Sequence, residues 1–123
     1  MAAISTTIRI KRAYDAPAAD DGVRILIDRL WPRGVTKQAA RIDHWVKTLA
    51  PSTELRKWFN HDPAKWVEFQ KRYGAELDAR PEAVGELLDL CRDRAVTLVF
   101  SARDTIHCNA AFLKPYLEKL LAK

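Results

Sequence analysis

Hydrophobic positions along this chain first alternate, then run together, and then recur at helical spacing. In "ISTTIRIK", Ile4, Ile8 and Ile10 fall on one side and Thr7, Arg9 and Lys11 on the other, the period of a half-buried strand. "VRILID" follows, nearly all apolar and β-branched, and reads as a strand covered on both faces. Pro32 and Gly34 in "PRGVTKQAARI" stop regular pairing. Ser52 after Pro51, with Glu54 in the first turn, starts a short helix over Leu55 to Phe59. Asp62 is a fitting N-cap, and Pro63 stands at the first helical position, where its missing N–H costs nothing. Trp66, Phe69, Tyr73 and Leu77 then form one stripe. Pro81 opens another helix, with Val84, Leu87, Leu88 and Cys91 on one face. "AVTLVFSA" is a second buried strand, and Ala110, Leu113, Leu117, Leu120 and Leu121 share one side of a last helix, in which Pro115 must lie in the first turn or kink it.

The order strand, strand, helices, strand, helix predicts an α/β fold: a small, at least partly parallel sheet with helices packed on it, in a single compact domain over residues 1–123. The helical stretch between "RILID" and "TLVFS" is long enough for a crossover, which is right-handed by rule. The direction of the first strand stays open. "DAPAADDG", Asp15 to Gly22, reads as a flexible loop.

Composition narrows the class. At 123 residues with 48% apolar side chains, the chain can fill one core. Its apolar runs are too short to span a membrane. "MAAISTTIRIKR" lacks the charged leader and apolar segment of a signal peptide, so no membrane partner and a cytoplasmic location are expected. Cys91 and Cys108 lack CxxC spacing and read as reduced thiols. The net charge of +5 favours anionic partners, with basic residues spread along the chain rather than gathered on one element.

The candidate chemistry gathers at two strand ends. If "RILID" and "TLVFS" are parallel neighbours, their C-terminal ends lie together, at the edge where open α/β sheets bind ligands. The first delivers Asp28, Arg29, Trp31 and Arg33; the second delivers Ser101, Arg103 and Asp104, with His107 and Asn109 at a helix start. Guanidiniums beside helix N–H groups suit a carboxylate or phosphate. The competing reading is structural: an Asp28–Arg29 ion pair, or Asp28 capping a turn. Ser101 and His107 lack the G-x-S-x-G elbow of a hydrolase. His44, His61 and His107 show no metal spacing, and no P-loop or G-x-G-x-x-G is present, so no metal is expected and no cofactor is named. Trp45, Trp58 and Trp66 with Arg56, Lys57 and Lys65 could form a nucleic-acid face, though helical spacing favours core packing.

"DDGVRILIDRLWPRGVTK", "IDHWVKTLAPSTELRKWFNHDPAKWVEFQKRY" and "VTLVFSARDTIHCNAAFLKPYLE" resemble the DUF488 family, in its short YeaO-like branch, from about Ile8 to Glu118. The resemblance implies a small α/β domain whose recurring polar positions are Asp28, Arg29, Pro32 and Arg33, then Trp58, His61, Asp62 and Pro63, and finally Asp104 and Asn109. A longer branch carries Cys-His-Arg near the last helix. Here Cys108-Asn109 stands in that place, and relatives of the short branch usually have Asn where this chain has Cys108. Thiol chemistry is therefore not carried over.

The expected function is binding, with turnover left open, of a small anionic or nucleotide-like ligand. Arg29 and Arg33 would hold the anion and Trp31 would wall the pocket. Asp28 would orient an arginine or act as a general base. His61, Ser101, Asp104 and Asn109 would add contacts, and His107 is the residue suited to proton transfer near neutral pH. A nucleic-acid-binding or regulatory module, and a protein-interaction domain without chemistry, are the alternatives.

Overall fold

In a computed structural model describing residues 6–122, the alternating segment forms strand β1 (Thr7–Arg12), with Ile8 buried and Thr7 and Arg9 exposed; Ile4 lies outside the described residues. The apolar run forms β2 (Val23–Leu26), and "AVTLVF" forms β4 (Ala95–Phe100). A short helix α1 (Lys37–Ala40) and a two-residue strand β3 (His44–Trp45) lie between them, within segments that carry no clear period. The sheet order is β1-β4-β2-β3, with every pair parallel. "RILID" and "TLVFS" are thus parallel neighbours, in register from Val23 opposite Val96 to Leu26 opposite Val99. The first strand also runs parallel, with Thr7 opposite Ala95.

The helices begin where their caps stand. Ser52 Oγ accepts from Leu55 N–H and starts α2 (Thr53–Phe59), two residues earlier than its apolar pattern indicates. The same hydroxyl donates to Glu76 at 2.6 Å, tying the start of α2 to α3 (Trp66–Asp78). Asp62 caps a 3₁₀ turn over Pro63–Lys65, which runs directly into α3. Pro81 is the first residue of α4 (Pro81–Cys91). In α5 (Asn109–Leu121) Pro115 lies beyond the first turn, so the Ala111 carbonyl loses its intrahelical partner.

The main core fills one face of the sheet, where Ile25, Ile27, Leu98 and Phe100 meet Phe69, Tyr73, Leu87 and Leu113 from the helices. The opposite face carries only a small cluster, Ala13, Leu26 and Val99, under Trp31, Ile42 and Trp45. Trp31 and Ile42 come from segments outside the helices and strands, Trp45 from β3, and the α1 residue Ala40 accepts a hydrogen bond from Arg24 beside them.

The segment read as a flexible loop is anchored instead. Asp21 is only 3% exposed and pairs with Arg24 at 2.6 Å and Lys11 at 2.8 Å. It also accepts from Ala18 N–H, while Thr97 Oγ1 donates to its carbonyl at 2.7 Å. Burial alone would raise this carboxyl, but hydrogen bonds from Lys11, Ala18 and Arg24 outweigh it and hold it down at about 2. Next to it, Gly22 has φ +67°, and a Cβ there would fall 2.1 Å from the Ala95 carbonyl oxygen. Only glycine permits this close approach of the loop to β4.

Candidate functional site

Chain direction does the first part of the assembly. Because β2 and β4 are parallel, the residues that follow them emerge at one edge and close round a cavity of about 640 Å³. Asp28, Arg29, Trp31 and Arg33 come from the β2 side, Ser101, Asp104, His107 and Asn109 from the β4 side, and His61 from beyond α2; all nine line the cavity.

Asp28 holds the edge together. Its Oδ2 accepts from Ser101 N–H at 2.8 Å and its Oδ1 from the Asn109 amide at 2.9 Å, while its carbonyl accepts from Trp45 Nε1 at 2.7 Å. Among the described residues no arginine bonds to Asp28, neither Arg29 as an ion pair nor another guanidinium that it might orient. Both oxygens are occupied by neutral donors, and the carboxylate serves as a clasp between β2, β4 and α5.

The arginines are left without such partners. Among the described residues, Arg29, Arg33, Arg56 and Arg103 line the cavity and none forms a salt bridge. Arg29 Nη2 has a long 3.5 Å contact with the Pro51 carbonyl, and its Nε is buried with no acceptor. A buried donor without a partner carries a desolvation cost of about 1–3 kcal/mol.

Asp104 and His107 form a second unit. Asp104 Oδ1 accepts from the N–H groups of Ile106 and His107, and Oδ2 lies 2.8 Å from His107 Nδ1. The His107 N–H, then its ring, then the Ile106 N–H hold the Asp104 carboxyl at about 2. An ionised Asp104 only accepts, so Nδ1 is the donor in this contact. The ring stands edge-on to Trp66 at 5.6 Å. Among the described residues no hydrogen bond joins Ser101 to His107, so no nucleophile–base pair is assembled there. Cys108 is buried and its thiol is pushed above its ordinary range by that burial, which leaves it a poor nucleophile.

His61 is carried to the mouth by two successive left-handed residues, Asn60 at φ +47° and His61 at φ +55°. Asn60 ends α2 by donating its N–H to the Arg56 carbonyl. Asn and His are both enriched in this conformation among residues other than glycine, and such backbone gathers at functional sites.

The pattern of the chain matches a sequence model of the inactive DUF488-N3 subclade over residues 7–123. The chain belongs to the DUF488 family. Uncharacterised protein YeaO of Escherichia coli is 40% identical over 113 residues, covering 92% of this chain and 98% of its own. Uncharacterised proteins Rv3073c of Mycobacterium tuberculosis and Mb3100c of Mycobacterium bovis are each 40% identical over 112 residues, covering 91% of this chain and 94% of theirs. No solved structure matches.

Of the polar positions that the DUF488 resemblance singles out, Asp28, Arg29, Pro32, Arg33, His61, Asp104 and Asn109 reach the cavity. Trp58, Asp62 and Pro63 do not line it. Trp58 lies between Arg72, 4.1 Å from its ring centre, and Lys65 at 5.1 Å, while Asp62 and Pro63 start the turn before α3. The tryptophans of this DUF488 chain share no single face. Trp58 and Trp66 pack on the main core, and Trp45 sits in the small cluster across the sheet. Tyr14, not picked out from sequence, and Arg56, read there only as part of a possible nucleic-acid face, also line the cavity. Arg56 remains exposed while doing so. Among the described residues no three His, Cys, Asp or Glu gather as a metal site, and no helix is long and apolar enough to cross a membrane.

Proposed function

We propose that this protein is a binding domain for a small anion, held at the C-terminal edge of the sheet and not turned over. The observation that carries this reading is the set of four cavity arginines without carboxylate partners among the described residues. Each guanidinium offers paired donors suited to a carboxylate or phosphate. The absence of turnover is supported by the match to an inactive subclade, and by the burial that pushes the Cys108 thiol above its ordinary range. Arg29 and Arg33 contact the anion, with Ser101 and Asn109 held beside them by Asp28. The two free cysteines suit a reducing compartment such as the cytoplasm.

The test is calorimetry and thermal shift with inorganic phosphate, pyrophosphate and small carboxylates, on the natural protein and an Arg29→Ala, Arg33→Ala double variant. A bound anion raises the melting temperature by mass action. The expected result is a saturable shift that the double variant loses while keeping its fold by circular dichroism. Equal binding by both proteins, or no binding by either, rejects the proposal.

A further inference from the structure

Resting on that anion-binding reading, we infer that the occupant is an aryl anion: a carboxylate or phosphate monoester carried on an aromatic ring. A single oxyanion uses little of a 640 Å³ cavity, whose size falls in the range of about 300–1,000 Å³ typical of sites for whole organic ligands. The walls carry two chemistries. Arg29, Arg33, Arg56 and Arg103 bring cationic groups to the lining, and Phe59, Phe69, Trp31 and Pro51 bring apolar surface beside them. Phe59 and Phe69 stack at 4.3 Å, and Trp66 lies 5.5 Å from Phe69 and 6.0 Å from Phe59, so a compact cluster of three rings backs the cavity.

The mouth carries the second observation. Among the described residues, Tyr14, Leu30, Val67 and Ile106 are the large hydrophobic side chains left exposed. Tyr14 and Leu30, 49% and 60% exposed, both line this cavity, and Ile106 precedes the lining residue His107. One exposed leucine is ordinary; a cluster round one opening marks a surface that a ligand covers. A ring fits such a site better than an alkyl chain. It is flat against Pro51 and the aromatic rings, it stacks under guanidinium planes, and it loses little rotamer freedom when held.

Calorimetry with methyl, n-hexyl and phenyl phosphate, and with acetate and benzoate, tests this. Phenyl phosphate is expected to bind at least about tenfold tighter than methyl phosphate and tighter than n-hexyl phosphate, with benzoate above acetate in the same sense. Leu30→Ser, a change at an exposed position, should narrow the phenyl-to-methyl ratio, whereas Arg33→Ala should weaken every phosphate and leave the ratio in place. A flat series, or n-hexyl phosphate binding as tightly as phenyl, overturns the aryl inference while the anion site stands. Failure of every anion to bind removes both.

Discussion

The two ends of β2 carry similar charges in opposite states. At the N-terminal end, Asp21 lies between Arg24 and Lys11, and Arg24 also donates through Nε to the Ala40 carbonyl, leaving only its Nη2 unpartnered. At the C-terminal end, Arg29 and Arg33 have no carboxylate partner among the described residues, and the carboxylate beside them, Asp28, is given to backbone and amide donors. Charge neutralised within the protein holds the fold. Charge left unneutralised at a cavity is what an external anion can complete. The same strand thus shows a structural cluster and a receptive one, separated by a few residues.

The contrast is most exposed to test at Asp21. Asp21→Ala leaves Arg24 buried without its counter-ion, and is expected to cost about 3–5 kcal/mol in urea denaturation. Its acid behaviour follows in sign. The folded carboxyl is depressed from 3.8 to about 2, so its stabilisation is complete above the ordinary value and drains away as pH falls from about 3.8 toward about 2. The variant should lose that portion of the acid limb in a pH series. A smaller effect is expected from Asp28→Asn, which sets one amide N–H against the donor of Ser101 or Asn109. A loss of about 1–3 kcal/mol should accompany disturbed Ser101 and Asn109 amide signals in NMR spectra. Smaller still, Arg29→Met should change stability by less than about 1 kcal/mol, since it removes a half-buried cation whose buried Nε has no acceptor, while anion affinity falls. If Arg29→Met proved as costly as Asp21→Ala, the distinction between the two ends would collapse. The smallest change belongs to Asp104. Its carboxyl should titrate near 2 by carbon-13 NMR and move up toward the ordinary range in His107→Ala, because the ring contributes part of the depression and the backbone N–H groups the rest.

The elements that could be read from sequence are those specified by neighbours a few residues away. Ser52, Asp62, Pro63 and Pro81 start helices through local backbone chemistry, and the stripes of α3, α4 and α5 repeat within one element. The cavity residues were legible for a related reason: two apolar strands that each end in polar residues place those residues together once the strands are parallel. What sequence hid depends on distant partners. Asp21 looks like loop polarity because Lys11 comes from another strand, and Arg24 interrupts an otherwise apolar run. Asp28 carries no mark that its oxygens meet Ser101 and Asn109, more than seventy positions on. Arg56 lines the cavity while remaining exposed, which no helical period marks, and β3 is too short for any period to show.

Gly22 gives the strand a mechanical role. A β-strand advances about 3.3 Å per residue, so a change of register at one end reappears at the other. The clearance at Gly22 lets β2 lie in register with β4, and that register continues through the Ile27 N–H to Val99 carbonyl bond to the clasp at Asp28. A methyl group at position 22 would have to move the chain away from Ala95, and the register lost there is the one that sets Asp28 opposite Ser101, about 20 Å along the strand. The alignment of the cavity is therefore inherited from an atom that is missing at the other end of the molecule.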